Sequence, residues 1–209
     1  MYVPESFNEL DRDVMLDLVE AHGFATLLSW TGGEPVVSHI PLLVDRPVPG
    51  QERLLGHVAR ANGHWQLFDG KAPTLAIFAG PHAYVSPSWY TTPRTVPTWN
   101  YAVVHAHGRP RIVDTAATWD IVKRLVERYE SARRDRWSGE LPPDFVADQL
   151  GAIVGFEIPI DRLEGKFKLG QNREPADRAG ALAGLEREPD RGSQELAAFA
   201  RRYFARRGG

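Results

Sequence analysis

The feature that most restricts the fold is a succession of short apolar runs cut apart by turn-forming residues. Phe24–Trp30 and Pro35–Val44 flank Thr31, Gly32 and Gly33, and two such runs joined by a glycine-bearing link predict a β-hairpin. Leu54–Val58 reads as a third strand and Thr74–Ala79 as a fourth, because their apolar residues suit a pleated, partly buried surface. A short helix is expected between them over Ala61–Phe68. Tyr84 and Val85 precede a long loop holding Pro87, Pro93 and Pro97. Trp99–His107 then alternates, Pro110–Val113 continues as strand, and Val154–Ile158 is a last strand stopped by Pro159.

Helical spacing marks four further segments. Phe7–His22 has Asn8 or Asp11 as its cap, Leu10, Val14, Leu18 and Val19 on one stripe, and Gly23 as its stop. Thr118–Trp137 carries Ile121, Val122, Leu125, Val126 and Tyr129 at core spacing. Pro142 and Pro143 start another helix through Leu150, and Ser193–Arg207 places Leu196, Phe199, Ala200 and Tyr203 on one face. Arg201, Arg202, Arg206 and Arg207 stand near the end of that helix, where they complement its dipole. Glu174–Arg191 reads as polar and turn-rich. Six or so strands with peripheral helices predict a mainly β fold built on a small barrel.

Composition removes several function classes. At 209 residues the chain fits one large domain. It has no cysteine, which excludes disulfides, thiolate catalysis and thiolate metal sites, and is compatible with a reducing compartment. The start MYVPESF has neither a basic nor an apolar leader segment, and nowhere do eighteen apolar residues run together, so a cytoplasmic protein without membrane spans is expected. A formal net charge of -2 gives no overall attraction to nucleic acid.

Chemistry-bearing residues cluster in Gly80–Tyr90 and Val96–Gly108, where His82, Tyr84, Ser86, Ser88, Trp89, Tyr90, Trp99, Asn100, Tyr101, His105 and His107 are crowded together. Aromatic walls with hydroxyl, amide and imidazole groups are the mixture expected of a small-molecule pocket. The competing reading is a loop packed over its own barrel, with Trp89 and Trp99 as anchors. His57, Arg60 and Asn62 form a second polar group. Lys166, Lys168, Gln171, Asn172 and Arg173 form a third, suited either to a phosphomonoester or to a solvated basic turn. No phosphate-binding glycine motif is present. His105 and His107 share a strand face but have no adjoining carboxylate motif, so hydrogen bonding or packing is expected and no metal. Ser86 and Ser88 near His82 lack the GxSxG turn of a hydrolase.

Together, MYVP (1–4), SHIPLL (38–43), GHVARAN (56–62), FAGPHAYVSPSWY (78–90), VPTWNY (96–101) and GKFKLGQNR (165–173) resemble the FMN-binding negative transcriptional regulator (PaiB-like) family. The resemblance reaches about Arg178. It implies an FMN-binding split β-barrel related to pyridoxamine phosphate oxidase, working as a homodimer with FMN at the subunit interface. By the same resemblance, Ser38, His39 and Ile40 lie beside the isoalloxazine, and His57, Arg60 and Asn62 lie on the phosphate and ribityl side. Trp89, Tyr90, Trp99 and Asn100 wall the ring, and Lys166, Lys168, Gln171 and Asn172 contact phosphate or the interface. Two positions depart from the family pattern: Gly63 stands where proline is usual, and Gly170 where serine is usual. The implied layout is a split-barrel domain over 1–178, followed by a polar linker and an amphipathic helix over 179–209 packed on the same domain. A flavin-binding, regulator-like protein is the favoured function; DNA is a candidate partner through the basic end of the last helix, although no helix-turn-helix is evident. An FMN-dependent oxidoreductase (a flavin reductase or pyridoxamine phosphate oxidase-like enzyme) and a haem-binding relative are the alternatives, and enzyme status stays open.

Overall fold

Strand formation dominates, as the apolar runs require. The computed structural model describes residues 1–30 and 32–208. Its strands are β1 (Asn8–Glu9), β2 (Phe24–Ser29), β3 (Val36–Pro41), β4 (Leu43–Asp45), β5 (Arg53–Ala59), β6 (Thr74–Val85), β7 (Thr98–Gly108), β8 (Arg111–Ile112) and β9 (Ile153–Lys168). The helices are α1 (Arg12–Ala21), α2 (Thr115–Glu130), α3 (Pro143–Gly151), α4 (Pro175–Arg187) and α5 (Arg191–Arg206), with 3-10 turns at Glu5–Phe7, Gly63–Leu67 and Pro87–Trp89. Strands hydrogen-bond in the order β3-β2-β6-β7-β9-β5-β4, and β1 and β8 each pair with β9. The expected hairpin is β2–β3, in register from Phe24↔Pro41 to Ser29↔Val36. Thr31, assigned to its turn, lies outside the described residues. Among the described residues no helix is long and apolar enough to cross a membrane.

The chain forms two compact units. A hairpin unit contains residues 19–78 and 105–163, and a terminal unit contains residues 1–18, 79–104 and 164–209. In the hairpin unit Leu27, Leu42, Leu54, Phe68, Phe156 and Ile158 are buried, and the Phe68 and Phe156 rings lie 4.5 Å apart. Helix α2 lays Ile121 and Leu125 on Leu55 of β5. Its close approach needs Gly155, because a Cβ there would sit 2.3 Å from Thr118 Oγ1. In the terminal unit Leu16, Phe167, Leu185 and Leu196 are buried, and the Phe167 ring meets those of Phe199 and Tyr203 at 5.5 and 5.6 Å.

Several local expectations change. The first helix begins at Arg12 because the Asp11 carboxylate accepts the Asp13 and Val14 N–H groups at 3.0 and 3.2 Å; Asn8 belongs to β1 instead. Helix α2 is capped by Asp114, which accepts from Ala117 N at 2.8 Å, and ends at Glu130 rather than Trp137. No apolar stripe continues between Tyr129 and Trp137. The last strand does not stop at Pro159: Arg53 pairs opposite it, and β9 continues to Lys168. The basic GKFKLGQNR motif therefore begins on a strand. Most of the segment expected to be a turn-rich linker is α4, whose buried positions are Asp177, Ala181, Gly184 and Leu185.

Candidate functional site

Period-two geometry splits the SHIPLL motif at once. On β3, Ser38 and Ile40 are buried while His39 is exposed and pairs through Nδ1 with the hydroxyl of Thr26, directly opposite, at 3.1 Å. Ser38 is the point at which two motifs meet. Asn62 Nδ2 donates to Ser38 Oγ at 3.0 Å, and Asn62 Oδ1 accepts the backbone N–H of His64 at 3.1 Å, capping the 3-10 turn at Gly63–Leu67. Ser38 Oγ also lies 2.9 Å from His64 Nδ1, His64 Nε2 lies 2.9 Å from Ser29 Oγ, and Ser29 Oγ lies 2.6 Å from Thr74 Oγ1. Ser29, His64 and Thr74 are all buried. Burial pushes the His64 pKa down, so the ring is neutral at neutral pH.

Sequence reasoning missed His64, Ser29 and Thr74. A signal existed for Ser29: the β2 alternation places Ala25, Leu27 and Ser29 on one buried face, and a hydroxyl at a core position needs a partner. The histidine of Gly63-His64-Trp65 had no comparable marker.

His57 and Arg60 behave differently from each other. His57 is half-buried on β5; burial lowers its pKa, and its Nδ1 is buried without a hydrogen-bond partner. Arg60 spends part of its fork on backbone, donating from Nε to Gly151 O at 2.8 Å and from Nη2 to Ile153 O at 3.1 Å. It lines a small cavity of about 100 Å³ with Trp65, Thr115 and Thr118. A larger cavity of about 360 Å³, walled by Trp119, Val126, Trp137 and Leu150, contains none of the motif residues.

In the terminal unit, the aromatic motif residues do not act as one wall. Trp89 packs across Gly184 of α4, where a Cβ would stand 2.2 Å from the indole. Tyr90 is covered by the Arg173 guanidinium, 4.8 Å from its ring centroid; burial raises its pKa and that cation opposes the rise. The next residues are pinned by Asp177, whose Oδ1 accepts from Thr91 N, Thr91 Oγ1 and Thr92 N at 2.7, 2.8 and 3.0 Å. Hydrogen bonds from Thr92 and Thr91 hold the Asp177 carboxyl far below the usual carboxylate range. Trp99 and Asn100 are adjacent on β7 and so face opposite ways. Asn100 is buried, whereas Trp99 is 55% exposed and groups with His82 and Tyr84, ring centroids 6.3 and 6.4 Å away. These two residues cannot line the same surface of one protomer.

The basic motif is partly structural. Lys166 Nζ sits between the rings of Tyr2 and Tyr101 at 5.3 and 5.4 Å, and Lys168 donates to Thr98 Oγ1. Gln171 spans the end of β9, donating to Phe167 O and accepting from Leu169 N at 2.8 Å, while Asn172 is exposed. Gly170 has φ +88, the left-handed conformation that glycine tolerates best.

Residues 1–162 match the family described as "Putative FMN-binding domain". The chain is 30% identical over 199 residues to protease synthase and sporulation protein PAI 2 of Bacillus subtilis (strain 168), covering 94% of this chain and 95% of that protein. Its fold is similar to that of the flavocytochrome Anf3 from Azotobacter vinelandii, with TM-score 0.61, 15% identity and coverage of 85% and 78% of the two chains. The FAD and heme binding protein from Mycobacterium smegmatis gives TM-score 0.59 at 16% identity, with 83% and 79% coverage. The expected fold class, mainly β with peripheral helices in a split barrel, is the one observed. The chain belongs to the FMN-binding domain family.

Proposed function

We propose that the protein binds FMN beside β3 as a homodimer and acts as a flavin-responsive regulator rather than through direct contact with DNA. The observation that carries the flavin reading is the 3.0 Å hydrogen bond joining Asn62 to Ser38, which fuses two motifs far apart in sequence into one rigid donor and acceptor surface. The residues present fit such a ligand. Ser38 and Asn62 supply hydrogen-bonding groups suited to a polar ring edge, and the partnerless Nδ1 of His57 is a buried polar atom awaiting a partner. With Nδ1 unpaired, a neutral His57 keeps its proton on Nε2, because an unmet lone pair is tolerated better than an unmet N–H. When bound, FMN supplies redox and light-absorbing chemistry; the chain supplies orientation and hydrogen bonds. The FAD named for the similar Mycobacterium smegmatis protein, and the name flavocytochrome of the similar Azotobacter vinelandii one, support a flavin as the ligand class.

Self-association is supported by the exposed cluster of His82, Tyr84 and Trp99, since contiguous exposed aromatics mark contact surfaces. The DNA reading loses support at α5. Arg201 pairs with Glu186, Arg206 with Asp17 and Arg207 with Glu9, so these arginines are already committed within the protein. The expected cytoplasmic location belongs to the same proposal.

Visible absorbance tests the central claim. Purified protein is expected to be yellow, or to become so on titration with FMN, and to release FMN on heating; a colourless protein that FMN cannot titrate sinks the reading. Sedimentation of a Tyr84→Ser, Trp99→Ser double variant is expected to show loss of the dimer with little change in folding stability, within about 0.5 kcal/mol per exposed site. A dimer of unchanged strength removes this surface from the proposal.

A further inference from the structure

The chain of groups from Asn62 to Thr74 has a direction, and the direction can be derived. Asn62 Oδ1 is fixed as an acceptor by the backbone N–H of His64, so its Nδ2 must be the donor to Ser38 Oγ. The remaining bonds then have two self-consistent arrangements. In the inward one, the Ser38 hydroxyl donates to His64 Nδ1, the ring proton sits on Nε2 and is given to Ser29, Ser29 donates to Thr74, and Thr74 points at Ala72 O, 3.5 Å away. In the outward one, Thr74 donates to Ser29, Ser29 donates to His64 Nε2, the ring proton sits on Nδ1 and is given to Ser38, and the Ser38 hydroxyl points away from the chain. The three hydroxyls and the neutral ring hold four protons in either arrangement, so the change takes up and releases none overall.

What selects between them is the environment of each donor. Ser38 is 7% exposed, so an outward hydroxyl gives up the fixed imidazole acceptor for the little solvent that reaches it, whereas a proton on Nε2 of the fully buried His64 ring has Ser29 as its acceptor. Without a ligand the inward arrangement is favoured, because every donor in it has an acceptor within the protein. A ligand that presents an acceptor atom to Ser38 reverses the preference. A ligand that presents a donor leaves the chain inward, with Ser38 accepting.

We propose that His64 is the positioning residue of this site, and that its change of tautomer turns the Ser38 hydroxyl from the interior toward an acceptor atom of the bound ligand. The inference rests on the reading that flavin binds beside β3. It adds a discrimination which that reading lacks: a ring nitrogen of the isoalloxazine that is an unprotonated acceptor in the oxidised state selects the outward chain, whereas the same nitrogen carrying a hydrogen after reduction selects the inward chain. Ser29 and Thr74 touch no ligand, yet they decide what Ser38 offers one.

The test is the imidazole ¹⁵N spectrum of the full-length protein, with the His64 signals identified by their loss in His64→Gln, recorded with and without FMN. The wild-type ring is expected as the Nε2–H tautomer without ligand and as Nδ1–H when saturated with oxidised FMN. Ser29→Ala removes the acceptor for Nε2–H, so its ring is expected as Nδ1–H even without FMN. Because that variant no longer has to leave the inward state, its FMN dissociation constant is expected to fall about fivefold. Ser29→Thr restores the hydroxyl and should return both readouts to wild type. If FMN binds but the tautomer does not change, or Ser29→Ala matches wild type in both measurements, the relay is overturned while the flavin reading stands. If wild-type protein does not bind FMN at all, the flavin reading falls and the proposal falls with it.

Discussion

The hairpin unit and the terminal unit hold their motif residues by opposite means. In the hairpin unit Ser38 and Asn62 belong to an uncharged chain that ends in buried His64, Ser29 and Thr74. In the terminal unit the motif residues are held by ions and aromatic faces, with Arg173 over Tyr90 and Lys166 between Tyr2 and Tyr101, and the Asp177 carboxylate pins Thr91 and Thr92 just beyond the aromatic motif. Buried neutral hydrogen bonds are directional, and each orphaned partner carries the full desolvation penalty. Exposed cation–aromatic contacts contribute modestly and survive substitution. One region is thus set in advance, and the other keeps an open aromatic surface.

The sharpest way to break this contrast is to remove one member from each region. His64→Leu leaves the Ser38 and Ser29 hydroxyls without the ring that joins them, and is expected to lower stability in urea unfolding by about 3 kcal/mol. Lys166→Met removes two half-exposed cation–aromatic contacts and is expected to change stability by no more than about 1 kcal/mol. Equal losses would mean that the two regions are held alike.

Acid should separate the units next. Burial lowers the pKa of His57 and His64 below the ordinary histidine value of 6.5. The unfolded chain therefore takes up protons first, so the stability from these neutral rings is complete above pH 6.5 and drains away as pH falls toward their folded values. Asp177 obeys the same rule lower down, its carboxyl being depressed from 3.8 by its threonine hydrogen bonds. Its contribution is complete above pH 3.8 and is lost as pH falls beneath it. Hydrogen exchange between pH 7 and 3 is expected to show β3 and the Gly63–Leu67 turn losing protection before the Thr91–Thr92 segment does. The reverse order would contradict the assignment of neutral rings to the hairpin unit.

These contrasts also explain what the sequence could and could not disclose. The β2–β3 hairpin was legible because Ala25 and Leu27 alternate with less buried neighbours, and turn residues mark its bend. Strand β9 was not legible beyond Ile158, since proline lacks the N–H a ladder uses; at Pro159 the strand continues, and the following residue donates instead, Ile160 N to Glu52 O at 3.0 Å. Helix α4 was hidden for another reason. Its buried face, Asp177, Ala181, Gly184 and Leu185, has helical spacing but contains a carboxylate and a glycine, so no apolar stripe appears. Along the hydrogen-bonded chain, the motifs contained Ser38 and Asn62, the members nearest the surface. The buried half of the same chain has no motif, because its residues are defined by what they touch in three dimensions.

The two glycines that depart from the family pattern offer the smallest and cleanest test, one in each unit. Gly170 in the terminal unit has φ +88, a conformation that side chains with a Cβ resist. Gly170→Ser is therefore expected to destabilise by about 1 kcal/mol despite restoring the usual residue. Gly63 in the hairpin unit is the opposite case. It opens the 3-10 turn directly after the Asn62 cap, and a Cβ placed there would meet only Gln66 Oε1, at 4.0 Å. Asn62 itself has φ -82 and ψ 105, extended geometry that a following proline favours. Gly63→Pro is expected to raise stability by about 0.5 kcal/mol, mainly by restricting the unfolded chain. Because it also stiffens the backbone that carries Asn62, it should slow exchange at the His64 N–H, which Asn62 Oδ1 accepts. A stabilised protein with unchanged protection at His64 would mean that the cap was already rigid, and that the advance setting of this region comes from the buried chain alone.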